Sequence, residues 1–249
     1  MSSRLIGVGV GPGDPELVTV KGVNALRTAD VVVVPVMGAV DGTDGGERGR
    51  AEATVLHYVP AEKVVRVVFA LNERSDRARR EAAWDAAGQR VAGLLESRGT
   101  VAFATIGDPN VYSTFTYLAQ TVAALVPGTV VETVPGITAM QDLAARSGAV
   151  LTEGTEPLTL VPVTAGAAVL KQALNGPGTV VAYKFGRQAR EVAEALRESG
   201  RIDDAVWGSA LGLPEEWIRP ASGLDGERLP YLSTLIAPAR REGGRGGKL

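Results

Sequence analysis

An α/β fold of two domains is predicted by three features of this 249-residue chain. Apolar runs suited to buried strands alternate with stretches of helical periodicity along its length. The runs are continuous rather than alternating, as in "VVVVP" at 31–35, which suits largely parallel sheets covered on both faces. A turn at Pro127–Gly128 opens a second series, giving expected domains at 1–126 and 127–240 and a flexible, basic, glycine-rich tail at 241–249.

In the first series "RLIGVGV" reads as a strand ended by the turn "GPGDP", and residues 16–30 carry apolar side chains at helical spacing. Strand 31–35 follows, then a charged, glycine-rich loop over 37–50 and the strand "VVRVVFA" at 64–70. A long helix is expected from Ser75 or Asp76, as cap, to Gly99 as its stop. "TVAFAT" at 100–105 is the next strand and 112–125 the next helix. The second series predicts strands at 129–134, 157–163, 178–183, 205–209 and 231–237, with helices at 138–147, 166–174 and 187–199.

Composition excludes several chemistries. The chain has no cysteine and one histidine, His57, so thiolate catalysis, cysteine metal sites, the HExxH motif and the two-histidine facial triad are all closed to it. No protein-bound metal is expected. Net charge is −2, with no broad basic stripe, so no nucleic-acid partner is expected. No segment approaches the roughly 18 uncharged apolar residues of a membrane span, and no long apolar leader opens the chain. The expected location is the cytoplasm.

The glycine loops carry the chemistry. "GVGVGPGDP" supplies Gly7, Gly9, Gly11 and Gly13 after a strand, but G-x-G-x-x-G fails in both registers because Pro12 or Asp14 takes the last position. The second strand ends without an acid for a ribose, and no G-K-S/T sequence exists, so nicotinamide dinucleotides and P-loop nucleotides are set aside. "TIGDPNVYSTF" and "TVPGITA" also follow strands and precede helices, which places these turns at the carboxyl edge of a sheet, where open α/β sheets bind ligands. Gly107 exposes backbone groups there, and Asp108 is the carboxylate placed to meet a cation. Thr138 supplies a hydroxyl and also suits a helix cap; Tyr112, Ser113 and Thr114 either line a cleft or simply start a helix. Such a site contacts an amine, a carboxylate and a nucleoside without phosphate clamps, a description that S-adenosylmethionine fits.

Those same residues carry a resemblance. "GVGVGPGDPELVTVKGVNAL", "GDPNVYSTFTYL", "VPGITA", "VVAYKFGR" and "YLSTLI" resemble the tetrapyrrole methyltransferases of cobalamin biosynthesis, and the Tyr-Ser-Thr-Phe run is similar to their precorrin-2 and cobalt-precorrin-2 C20 branch. The resemblance spans Leu5 to about Ala237. It implies two α/β domains with a cofactor cleft between them, a homodimer, S-adenosylmethionine as cofactor and a tetrapyrrole polycarboxylate as substrate. It implies that Pro12 lies in the first cofactor turn, that Gly107 and Asp108 meet the methionine part, and that Tyr112, Ser113, Thr114, Thr138 and Ala139 lie beside the cofactor. Tyr183, where the family often has Met, and Ala210 complete the implied cofactor set; Asp142 stands where small residues are common.

The implied reaction is methyl transfer to C20, with methylation at another tetrapyrrole carbon, or binding without turnover, as alternatives. The acidic macrocycle needs cations, for which Lys184 and Arg187, just after a strand, are the expected substrate contacts. Arg74, Arg77, Arg79 and Arg80 form either an entrance patch or a solvated helix face. His57 sits in the apolar stretch "ATVLHYVP" and is read as structural or superficial; no catalytic base is assigned.

Overall fold

The computed structural model describes residues 3–36, 48–69, 77–164, 166–224 and 229–241, with the side chains of Arg77 and Arg79 left out. The expected loop at 37–50, the caps Ser75 and Asp76, Arg74 and the tail therefore lie wholly or mostly outside the described residues. The chain divides into two compact units, Met1–Thr138 and Ala139–Leu249.

Unit 1 is a five-stranded parallel sheet. Its strands are β1 (Arg4–Gly9), β2 (Val31–Val36), β3 (Val64–Val68), β4 (Thr100–Thr105) and β5 (Val130–Val134), in the order β3-β2-β4-β1-β5. Alternate side chains feed opposite faces. Ile6, Val8, Ala102 and Ala104 pack with Leu26 of α1 (Val20–Thr28) and with Ala51 and Val55 of α2 (Arg50–Val55). Leu5, Val101 and Phe103 pack with Val91 and Leu95 of α3 (Arg77–Arg98) and with Phe115 and Leu118 of α4 (Phe115–Leu125). Each fully buried Leu or Phe in these layers contributes roughly 1.5–3 kcal/mol of transfer free energy. The chain therefore leaves β1 on one face and β4, its neighbour, on the other. Adjacent strands whose connections part in this way form the topological switch point of an open sheet.

Unit 2 has a mixed sheet in the order β6-β7-β10-β8-β9, formed by β6 (Leu158–Pro162), β7 (Thr179–Tyr183), β8 (Val206–Ser209), β9 (Trp217–Pro220) and β10 (Thr234–Ala237). β6 and β7 are parallel; β10 runs antiparallel to both β7 and β8, and β9 antiparallel to β8. The helices α6 (Ala168–Leu174) and α7 (Ala189–Glu198) supply Leu170, Leu174, Val192 and Leu196 to one face. The helix α5 (Ala139–Ser147) packs Leu143 against Val181, Tyr183 and Ile236 on the other.

The α/β alternation holds, with three corrections. The sequence break at Pro127–Gly128 is a turn inside unit 1, because the strand after it hydrogen-bonds to β1; the division comes after Thr138 instead. The expected helix over 16–30 is shortened, because Pro15–Leu17 form a 3₁₀ turn and the Thr19 hydroxyl then caps α1 by accepting from Gly22 N–H at 3.0 Å. Neither α2 nor β9 is anticipated by the sequence. The first is a six-residue helix too short for a clear period, and β9 has an exposed, charged edge that hides its strand character.

α2 is held by a buried charge. Glu52 is 6% exposed, and its carboxylate takes a two-pronged contact from Arg66 of β3, with Nε–Oε2 and Nη2–Oε1 both at 2.9 Å. Removing one partner of such a pair leaves an uncompensated buried charge, whereas replacing both with apolar residues removes the desolvation cost as well. Arg66→Met should therefore lower stability in urea unfolding by about 3 kcal/mol, and Glu52→Met/Arg66→Met should recover most of that loss.

Candidate functional site

Parallel β4, β1 and β5 end side by side, so the turns that follow them meet. The pairing of Gly9 with Thr105 is continued by Val10 N–H to Thr105 O at 2.9 Å, by Gly107 N–H to Gly11 O at 2.8 Å, and by an isolated bridge between Gly11 and Gly107. Both glycines hold positive φ, 77° at Gly11 and 71° at Gly107, a conformation that L side chains disfavour.

The third turn fits against the other two. A β-carbon on Gly136 would stand 2.1 Å from Gly107 O and 2.7 Å from Gly9 Cα. One on Gly9 would stand 2.6 Å from Gly107 O and from Gly136 N. The backbones of the three turns therefore pack at a separation that permits only glycine at 9 and 136.

Asp108 ties the assembly together. Its Oδ2 accepts from Gly136 N–H at 3.0 Å and its Oδ1 from Asn110 N–H at 2.8 Å. The sequence expectation gave this carboxylate to a cationic ligand group; in the folded unit each oxygen already serves a backbone donor of the turns. Ser113 is committed likewise. Its hydroxyl accepts from Phe115 N–H at 3.1 Å, capping α4, and lies 3.0 Å from the Thr105 hydroxyl. Thr114 occupies the cap position but makes no side-chain cap bond. Thr138 is buried, immediately ahead of α5, with its Cα 4.0 Å from where a β-carbon on Gly107 would lie.

Other parts of unit 1 brace the first turn. The Thr54 hydroxyl lies 3.2 Å from Arg50 O and 3.4 Å from Gly13 O, and the Tyr58 hydroxyl donates to Pro15 O, so α2 and the segment after it pack on the part of the turn that follows Pro12. His57 is exposed on the turn after α2, its N–H on Thr54 O. Arg80, the described member of the expected arginine patch, lies 5.7 Å from the Trp84 ring centroid, and Trp84 stacks on Tyr117 at 4.9 Å.

In unit 2 the expected residues fall at strand ends. Tyr183 closes β7 and is buried; its hydroxyl oxygen accepts from Met140 N–H at 3.2 Å and so satisfies one of the open donors at the start of α5, next to Ala139. Lys184 follows, with its N–H on Ser233 O at 3.2 Å and its ammonium 5.8 Å from the Tyr231 ring centroid. Arg187 is exposed three positions on. Ala210 is buried and directly follows β8. Asp142 is 4% exposed and paired with Arg146 Nε at 2.7 Å.

Among the described residues, the non-glycine residues with positive φ are Tyr112, Lys184 and Ala210, at 51°, 59° and 54°. All three belong to the set expected from the sequence. A residue held in this region costs on the order of 1–3 kcal/mol and persists only where its surroundings over-determine it, which is why such residues gather at functional sites. Partial burial pushes the Tyr112 phenol pKa up, so at neutral pH it is an O–H donor. Among the described residues no cluster of His, Asp and Glu is arranged to hold a metal ion, and no helix is long and apolar enough to cross a membrane.

Unit 1 thus carries a switch-point edge built from glycine turns rather than phosphate clamps. Residues 4–223 match the family model of the tetrapyrrole (corrin/porphyrin) methylases, and the chain belongs to that family. Within it, the chain is 32% identical to a precorrin-2 C(20)-methyltransferase of Sinorhizobium sp over 96% of each protein. It is 30% identical to a cobalt-precorrin-2 C(20)-methyltransferase of Salmonella typhimurium, over 95% of this chain and 96% of that one. Among solved structures, a cobalt precorrin-4 methyltransferase superposes with a TM-score of 0.68 at 20% identity over 94% of both chains, which shows the shared fold. A uroporphyrin-III C-methyltransferase from Thermus thermophilus, solved with S-adenosyl homocysteine, superposes with a TM-score of 0.66 at 23% identity over 94% of this chain and 97% of that one.

The glycine contact yields a direct test. Gly136→Ala should destabilise unit 1 by about 3 kcal/mol in chemical denaturation, since the atom it meets is backbone and no side chain can swing away. Asp108→Ala should cost about 2 kcal/mol by leaving two backbone donors without their acceptor.

Proposed function

We propose that this protein transfers a methyl group from S-adenosylmethionine to C20 of precorrin-2 or cobalt-precorrin-2. The observation that carries the reading is the coincidence of two independent signals. The left-handed residues Tyr112 and Lys184 fall within motifs that resemble those of the tetrapyrrole methylases, and Ala210 lies inside the span that matches the family, residues 4–223. The choice of C20 is supported by the two relatives aligned over nearly their whole length, both named for that carbon.

The residues suit the cofactor. Its adenosine and amino-acid parts need backbone donors and acceptors at close approach, which the glycine turns at Gly11, Gly107 and Gly136 allow, and its amino-acid end needs no phosphate-binding loop. In this reading Pro12, Gly107, Tyr112, Thr138 and Ala139 contact it, Ser113 and Thr114 set the start of α4 beside it, and Tyr183 and Ala210 contribute to the same cofactor cleft. Asp108 serves by shaping the turn. When bound, the cofactor supplies a methyl group already activated on a sulfonium sulfur.

The protein's own part is orientation. A rigid turn assembly fixes the line along which a ring carbon approaches, and holding reactants in line is worth several orders of magnitude in rate. Lys184 and Arg187 meet carboxylates of the macrocycle, and the left-handed backbone of Lys184 fixes where its side chain leaves the strand end. The reading also takes the protein as a cytoplasmic homodimer, as the family resemblance implies.

The test is turnover with isotopically labelled cofactor and either metal-free or cobalt-loaded precorrin-2. One methyl added at C20 by mass and NMR is the expected product. Addition at another carbon would move the assignment within the family, and retention of substrate without transfer would make this a binding protein. Lys184→Ala and Arg187→Ala should each raise KM for the tetrapyrrole about tenfold, leaving S-adenosyl homocysteine affinity unchanged in calorimetry.

A further inference from the structure

Helix α5 touches the unit 2 residues of the proposed cofactor site through two separate contacts. At its start, Met140 N–H donates to the Tyr183 hydroxyl at 3.2 Å. One turn on, a chain of charges runs from it to the loop after β8. Arg146 Nε meets Asp142 Oδ1 at 2.7 Å, and Arg146 Nη1 meets Glu216 Oε2 at 3.1 Å. The same Glu216 oxygen accepts from Gly212 N–H at 2.7 Å.

The loop held in this way is compact. Leu213 N–H reaches Ala210 O and Glu216 N–H reaches Leu213 O, both at 3.0 Å. It also contains two left-handed residues, Ala210 at φ 54° and Gly212 at φ 74°. Glycine adopts that conformation freely, but alanine does so only when held. The backbone bonds close the loop on itself; Glu216, through Arg146, fastens it to a helix.

A helix does not need this arrangement for its own sake. An acid four residues ahead of a base stabilises an exposed helix by only a few tenths of a kcal/mol, and Asp142 is instead 4% exposed. Burying that carboxylate is tolerable because the guanidinium beside it is fixed, and the guanidinium is fixed by two carboxylates on different elements. Arg146 can bridge them because its planar fork presents separate N–H groups, which a lysine ammonium would not reproduce in geometry.

We propose that Arg146 is a positioning residue: by bridging buried Asp142 to Glu216 it clamps the 210–216 loop onto α5 and holds Ala210 in the left-handed conformation that presents its backbone to the cofactor nucleoside. The inference rests on the proposed function, since it concerns the same cofactor. Its consequence is that cofactor affinity depends on a charge, Glu216, that does not touch the cofactor.

The experiment is calorimetric titration of the full chain with S-adenosyl homocysteine, with thermal melting of each variant alongside. Glu216→Ala removes the outer arm but leaves the buried Asp142–Arg146 pair, so the protein should fold with little change in midpoint while its dissociation constant rises about tenfold. Ala210→Gly placed in that background should recover part of the affinity, because glycine takes positive φ without a clamp. Glu156→Gln is the control. Glu156 pairs with Arg241 at 2.7 Å elsewhere in unit 2, and its loss should lower the melting midpoint without changing affinity. Unchanged affinity in Glu216→Ala, with the parent protein binding, would overturn the positioning role and leave the function standing. Equal loss of affinity in the Glu156→Gln control would also overturn it, by reducing the effect to general stability. Failure of the parent protein to bind S-adenosyl homocysteine would remove both the function and the inference built on it.

Discussion

Unit 1 depends on backbone meeting backbone where β4, β1 and β5 end. Gly9, Gly107 and Gly136 come from three different strand-to-turn junctions, and each stands where another's β-carbon would have to be. Peptide groups this close also satisfy one another: Gly107 N–H is taken by Gly11 O and Gly136 N–H by the Asp108 carboxylate. These two bonds brace the turns against one another. A braced edge at a switch point gives a ligand one place to sit, and orientation is what methyl transfer from an activated donor asks of a protein.

Several side chains that look available in the sequence make hydrogen bonds or ion pairs within their own unit. Asp108 reads as a carboxylate waiting for a cation and is a bracket between two backbone N–H groups. Ser113 reads as a cleft hydroxyl and caps α4. Tyr183 uses its hydroxyl on the start of α5. Asp142 is neutralised within its own helix by Arg146. Lys184 and Arg187 are the cations of the set after β7. Recognition by shaped backbone fits a nucleoside cofactor without phosphates, and recognition by cations fits a polycarboxylate.

Strain follows the same division. Gly11 and Gly107 take positive φ at no steric cost, whereas Tyr112, Lys184 and Ala210 take it against preference and need neighbours to hold them. For Lys184 the neighbours are Ser233 O and the Tyr231 ring; for Ala210 they include a loop fastened to α5. These contacts join residues far apart in the chain, so no local pattern announces them.

The sequence by itself determined the α/β class, most strand and helix positions, and the motifs that carry the family. Those follow from local rules: period 2 or 3.6, buried runs for parallel strands, and Gly-Pro turns at their ends. It misplaced the division between the units, because "VPGTVVETV" looks like a fresh start and only its pairing with β1 assigns it to the first sheet. It missed α2, held by the Glu52–Arg66 pair, and β9, recognisable only beside β8. Tertiary structure alone decided which glycines touch, which carboxylates are consumed and which residues bear strain. Each depends on a distance between atoms many residues apart, set by sheet order and helix packing, and such distances leave no period along the chain.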